Sequence, residues 1–204
     1  MAGLLSNFRN TFIVGLLLAG VMIWAYSQGP HGTDEAFFQA VFRWMHVFFG
    51  ILWIGLLYYF NFVQIRVMPA VPAELKPGVT KYIAPEALFW FRWAAVATVV
   101  MGLAIAGSRH YVVQTLSLGL SGSTDPASKK QYALLGLGMW IGIVMMLNVW
   151  GIIWPNQKRA LGIVEADADT KAKAAKMAML GSRTNLLLSL PMLVAMTMSQ
   201  TMFG

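Results

Sequence analysis

The stretch Phe42–Gln64, FRWMHVFFGILWIGLLYYFNFVQ, is apolar enough to lie in lipid, yet it places Arg43 and His46 one helical turn apart. Ionisable side chains inside a bilayer-length segment are costly and mark candidate functional sites. His46 opens the pattern H-x-x-x-G-x-x-W-x-G, formed by His46, Gly50, Trp53 and Gly55. Positions i, i+4 and i+7 share one helix face, so Gly50 leaves a groove beside the imidazole and Trp53 closes its far side. A flat macrocycle such as haem needs an axial nitrogen, a neighbouring surface without side-chain bulk and aromatic walls. His46 would supply the iron ligand, and Arg43 would pair with a propionate. The same residues also admit a packing reading. In it His46 bonds a neighbouring helix, Arg43 reaches for the interface, and Gly50 and Gly55 are close-approach glycines.

The elements that must position these groups follow from composition. Of 204 residues, 58% are hydrophobic and 11% charged, against roughly a quarter charged in soluble domains. This is the composition of a membrane protein. Cysteine is absent, which excludes disulfides, thiolate metal sites, Fe–S clusters and covalently attached haem, so a haem would have to be the non-covalent b type. The net charge of +7 is read as the distribution of loops about a membrane, with lipids as partners and not nucleic acid.

Five segments approach the ~20 residues needed to cross about 30 Å of hydrocarbon, and their approximate spans are 9–27, 38–64, 87–107, 133–154 and 184–203. Backbone satisfaction in lipid makes them helices, giving an all-α integral membrane bundle and a single membrane domain over 1–204. The first segment is not read as a signal peptide, because Tyr26-Ser27-Gln28-Gly29 is a poor cleavage site. Loop bases set the orientation. Arg9, Arg66, Lys76, Lys81, Lys158, Arg159, Lys171, Lys173, Lys176 and Arg183 fall on one side, and Arg109, Lys129 and Lys130 on the other. The positive-inside rule puts the amino terminus inside, the carboxyl terminus outside and the bundle in a bacterial inner membrane.

With that orientation His31, His46 and His110 all lie near the outer face, and His110 is the candidate second haem ligand on depth alone. Arg92 lies about one turn into the inner leaflet, free to snorkel or to neutralise an anionic ligand or lipid headgroup, and the flanking Trp90 and Trp93 resemble belt anchors. The fourteen methionines read as packing. The segment 111–120 is too short to span and is expected along the outer surface. Glu165–Leu180, acidic first and basic later, is expected to be a capped helix leading into the fifth span. Pro155 is expected to end the fourth helix.

The stretches RWMHVFFGILWIGLLYYFNFVQ, FWFRWAA and NVWGIIWPNQKRALG (Asn148–Gly162) resemble the membrane region of the urate oxidase N-terminal domain family, the bacterial membrane-bound urate hydroxylases, over roughly 40–203. A similar His-Gly-Trp-x-Gly helix occurs in membrane protoporphyrinogen oxidases and copper-resistance membrane proteins. Full-type members carry further helices and a cytochrome c domain. This sequence instead has an extra leading helix, stops after five spans and lacks the cysteine for covalent haem. The resemblance thus implies a membrane redox protein, an oxidoreductase that delivers electrons to a separate cytochrome c. The alternative is a non-catalytic accessory subunit of a larger respiratory or photosynthetic membrane complex.

Overall fold

The computed structural model describes residues 2–29, 32–122 and 124–203; among them there is no strand. His31 lies outside the described residues. After a helical turn, Ala2–Leu5, come α1 (Phe8–Ser27), α2 (Glu35–Ala70), α3 (Lys76–Ser108), the short α4 (Val112–Leu116), α5 (Pro126–Ala160) and α6 (Ala168–Phe203). Apart from α4, these helices are long and apolar enough to cross a membrane, as expected of a multi-pass membrane protein.

Helix starts follow local chemistry. Asp34 accepts a hydrogen bond from Phe37 N, Asp125 from Ser128 N and Asp167 from Thr170 N, each at 2.8 Å, satisfying first-turn donors that no helical carbonyl can reach. The Asp167 cap and the continuous α6 bear out the helix expected to lead into the fifth span.

The helices outrun the apolar segments. α2, α3, α5 and α6 have 36, 33, 35 and 36 residues, about 50 Å each at 1.5 Å per residue, well beyond the hydrocarbon thickness. Their extensions 65–70, 76–86, 155–160 and 168–183 gather at the end of the bundle remote from His46, where most bases lie. Pro155 does not end the fourth helix. A π-helical turn, Val149–Ile153, precedes it, and the wider turn accommodates the missing N–H, while Asn156 Nδ2 donates to Ile152 O at 2.8 Å. The helix therefore continues through Lys158 and Arg159 to Ala160.

α2 and α3 run antiparallel. At one end Gln39 Nε2 donates to Ser108 O (3.2 Å) and accepts through Oε1 from Arg109 Nε (3.0 Å); at the other, Phe60 and Phe91 meet edge to face, centroids 5.6 Å apart. α5 and α6 form a second antiparallel pair, and Trp53, Leu57, Leu88, Phe91, Met145 and Val149 join the pairs in one core. α4 lies against α5, with Trp140 Nε1 donating to Leu116 O at 3.0 Å and Thr115 fully buried. α1 stands apart. None of its residues is buried, and its ring contact with the rest of the bundle is Phe12 to Phe48 at 6.4 Å.

Candidate functional site

The α2–α3 seam is built from small residues. Ala94, Thr98, Gly102 and Ala106 recur every fourth position on α3, the small-xxx-small pattern that lets helix backbones approach in lipid. The imidazole of His46 lies in this seam. Its Nδ1 sits 2.8 Å from Thr98 O. A Cβ at Gly102 would stand 3.0 Å from His46 Cε1 and 3.1 Å from Nδ1, so the glycine hydrogen is what makes room for the ring. Thr98 Oγ1 donates to Ala94 O (2.7 Å), one turn back along α3. A carbonyl oxygen only accepts, so Nδ1 of the neutral ring carries the proton and Nε2 keeps its lone pair.

The seam opens into a cavity of about 620 Å³ between α2, α3, α5 and α6, within the roughly 300–1,000 Å³ of small-molecule sites. Arg43, His46, Gly50 and Trp53, the four α2 residues singled out by spacing, all line it. The rest of the wall is mostly apolar, with Tyr58, Thr98, Tyr111, Thr197 and Gln200 as the other polar contributors. Among the described residues Arg43 has no hydrogen bond or ion pair. It acts on Tyr111, whose hydroxyl is pushed up by burial and pulled back by Arg109 and Arg43. Trp53 is 1% exposed, and its Nε1 has no hydrogen-bond partner among the described residues. Gly50 is less crowded than expected of a packing glycine, with the nearest atom to an added Cβ being Thr98 Cγ2 at 3.8 Å.

His110 is not brought to the cavity. It terminates α3 in the left-handed conformation (φ 54°), with Tyr111 N bonded to Ala106 O at 3.1 Å, the position after the last helical turn where glycine is usual. Its ring is exposed, with Nε2 3.7 Å from Glu35 Oε1.

Two sets of residues escaped the sequence reading. Met139 of α5 and Met192 and Met196 of α6 line the cavity opposite α2, because helix pairing brings them there. Beyond the cavity floor runs a buried polar ladder. Ser189 Oγ lies 3.3 Å from Tyr58 Oη; Asn185 accepts from Asn148 Nδ2 (2.8 Å) and donates to Met145 O (3.0 Å); Asn61 Nδ2 donates to Ser182 Oγ (2.9 Å). Ser182, Asn185 and Ser189 fall at i, i+3 and i+7, a one-face polar stripe in an apolar helix, and that spacing was a usable signal.

Arg92 is covered by an aromatic ring. It is 8% exposed and stacked on Trp154, Cζ to ring centroid 3.4 Å, while Trp90 and Trp93 remain 40% and 50% exposed.

Residues 124–202 match the family described as urate oxidase N-terminal, which supports the resemblance noted above over α5 and α6. α2 lies outside the matched stretch. No curated protein and no solved structure matches the chain.

Proposed function

We propose that this chain is a urate hydroxylase-like membrane redox protein that holds haem b in the cavity between α2 and α3 and α5 and α6. His46 would hold the iron and Arg43 would pair with a propionate. The observation that carries the reading is the 2.8 Å contact between His46 Nδ1 and Thr98 O. Metal-bound histidines almost always donate the other ring N–H to a carbonyl or carboxylate, which fixes the tautomer and raises the basicity of the ligating nitrogen. The surroundings fit a porphyrin in kind: an apolar cavity of sufficient volume, an unpaired guanidinium at one end and a buried indole in the wall.

When bound, haem would supply one-electron chemistry, accepting electrons from urate or another small reductant and yielding them to a separate cytochrome c. The chain's own residues hold and tune the group. Thr98 O orients the imidazole, Gly102 admits it, Arg43 supplies a positive charge, and the apolar walls exclude water. The charge asymmetry supports an inner-membrane placement with the amino terminus inside and the carboxyl terminus outside.

The isolation of α1 favours a second reading, an accessory subunit whose first helix packs on a neighbour in a larger complex. A visible spectrum separates the two. Protein purified in mild detergent from cells supplied with haem precursors should show a Soret band, His46→Ala should lose it, and Arg43→Ala should retain it with a shifted potential. No Soret band in the unaltered protein would refute the haem reading.

A further inference from the structure

A second site lies at the opposite end of the bundle. The Arg92 guanidinium is stacked on Trp154 and lies 5.9 Å from the ring centroid of Trp150. Its Nε and Nη1 are buried without a hydrogen-bond partner among the described residues. Lys158 Nζ lies 5.8 Å from the same Trp154 ring, so two cations share one indole. Among the described residues neither cation is within ion-pairing distance of a carboxylate. The nearest acid in sequence, Glu86, instead accepts from Trp90 Nε1 at 2.9 Å.

An aromatic shelf offsets part of the cost of burying a guanidinium but leaves its charge unneutralised. Both cations stand at the same indole without a counter-charge among the described residues, and an anion that reached both would neutralise them. The depth identifies the source. Trp90 and Trp93, which flank Arg92, are half-exposed tryptophans of the kind that settle at the headgroup layer, and Lys158 and Arg159 follow in the last turn of α5. What meets the chain at that level is the phosphodiester of a lipid.

We propose that Arg92, Lys158 and the Trp154 ring form a binding site for one anionic glycerophospholipid, whose phosphodiester is held by the two cations. The pairing is charge-assisted and suits a planar guanidinium held in fixed orientation by stacking. The site is separate from the cavity and does not depend on a haem being there.

The test is native mass spectrometry of the full chain released from vesicles of equal parts phosphatidylglycerol and phosphatidylcholine. The expected result is one phosphatidylglycerol retained per chain in preference to phosphatidylcholine. Arg92→Gln and Lys158→Gln should each weaken retention about fivefold, the worth of one basic residue near an anionic surface. Lys129→Gln, at the other end, should leave it unchanged. If Arg92→Gln fails to fold, Lys158→Gln decides alone. Equal retention of the two lipids, no effect of Lys158→Gln, or displacement of the lipid by inorganic phosphate at the same concentration would each overturn the proposal.

Discussion

Gly102→Ala tests how the histidine is held. The added methyl carbon would stand 3.0 Å from His46 Cε1 and 3.1 Å from Nδ1, whereas carbon atoms rest at about 3.5–4.0 Å. The ring must therefore retreat by about half an ångström, out of the position in which Nδ1 meets Thr98 O. Overpacking of this kind costs about 1–3 kcal/mol. The retreat also stretches the 2.8 Å contact with Thr98 O; interhelical hydrogen bonds in membrane proteins are worth about 0.6 kcal/mol on average and at most ~1.7. A total loss of about 2–4 kcal/mol follows. The assay is reversible unfolding in mixed micelles for the four members of a cycle: the parent, Gly102→Ala, His46→Ala and the double variant. Removing the imidazole removes what the new methyl collides with, so Gly102→Ala should be nearly neutral in the His46→Ala background. The coupling energy should then approach the whole cost of the single substitution. An equal cost in both backgrounds, or none in the parent, would refute this account of the seam.

Gly136→Ala should detach α4 from α5, because its Cβ would overlap the Thr115 carbonyl oxygen, which is backbone and cannot rotate away; increased proteolysis within 111–120 reports it, and unchanged protection would count against the packing. The caps make α5 and α6 sensitive to acid. Backbone N–H donation from Ser128 and Thr170 holds the Asp125 and Asp167 carboxyls below their ordinary value, so their contribution is fully present above the unfolded-state value and is lost as pH falls through the lower folded value. Hydrogen exchange in the first turns of both helices should accelerate across that acid window, and Asp→Asn at each cap should remove the pH dependence; an unaltered profile in the Asn variants contradicts the assignment. A reporter fused after Gly204 should be periplasmic and one inserted near Asp169 cytoplasmic, and the reverse labelling would overturn the orientation.

The sequence by itself determined the all-α class, the number of helices long and apolar enough to span a membrane, and one wall of the cavity. Apolar runs of bilayer length leave the backbone no alternative to helix, and the i, i+4, i+7 spacing of His46, Gly50 and Trp53 puts them on one face of α2 whatever surrounds it. The capped start of α6 was legible for an equally local reason, whereas α2 and α5 begin at Glu35 and Pro126, ahead of the expected 38 and 133, because Asp34 and Asp125 cap polar turns that hydropathy does not count. The helix through Pro155 was less legible, because a proline reads as a stop unless the preceding turn widens, and Val149–Ile153 widens within a packed bundle.

Tertiary structure decided which face meets which. Thr98 and His46 are 52 residues apart in sequence, and their contact exists because α2 and α3 pair antiparallel along the Ala94–Thr98–Gly102–Ala106 edge. Packing of the α5–α6 pair against α2 and α3 carries Met139, Met192 and Met196 to the far wall of the cavity, while His110, exposed at the end of α3, stays outside it. The packing of α3 on α5 also buries Arg92 over Trp154, a partner 62 residues away that local sequence, which left a snorkelling or anion-binding cation open, does not identify. A helix's periodicity fixes what each residue shares a face with. The partner opposite that face is chosen by close packing over the whole bundle, a long-range outcome that no short stretch encodes.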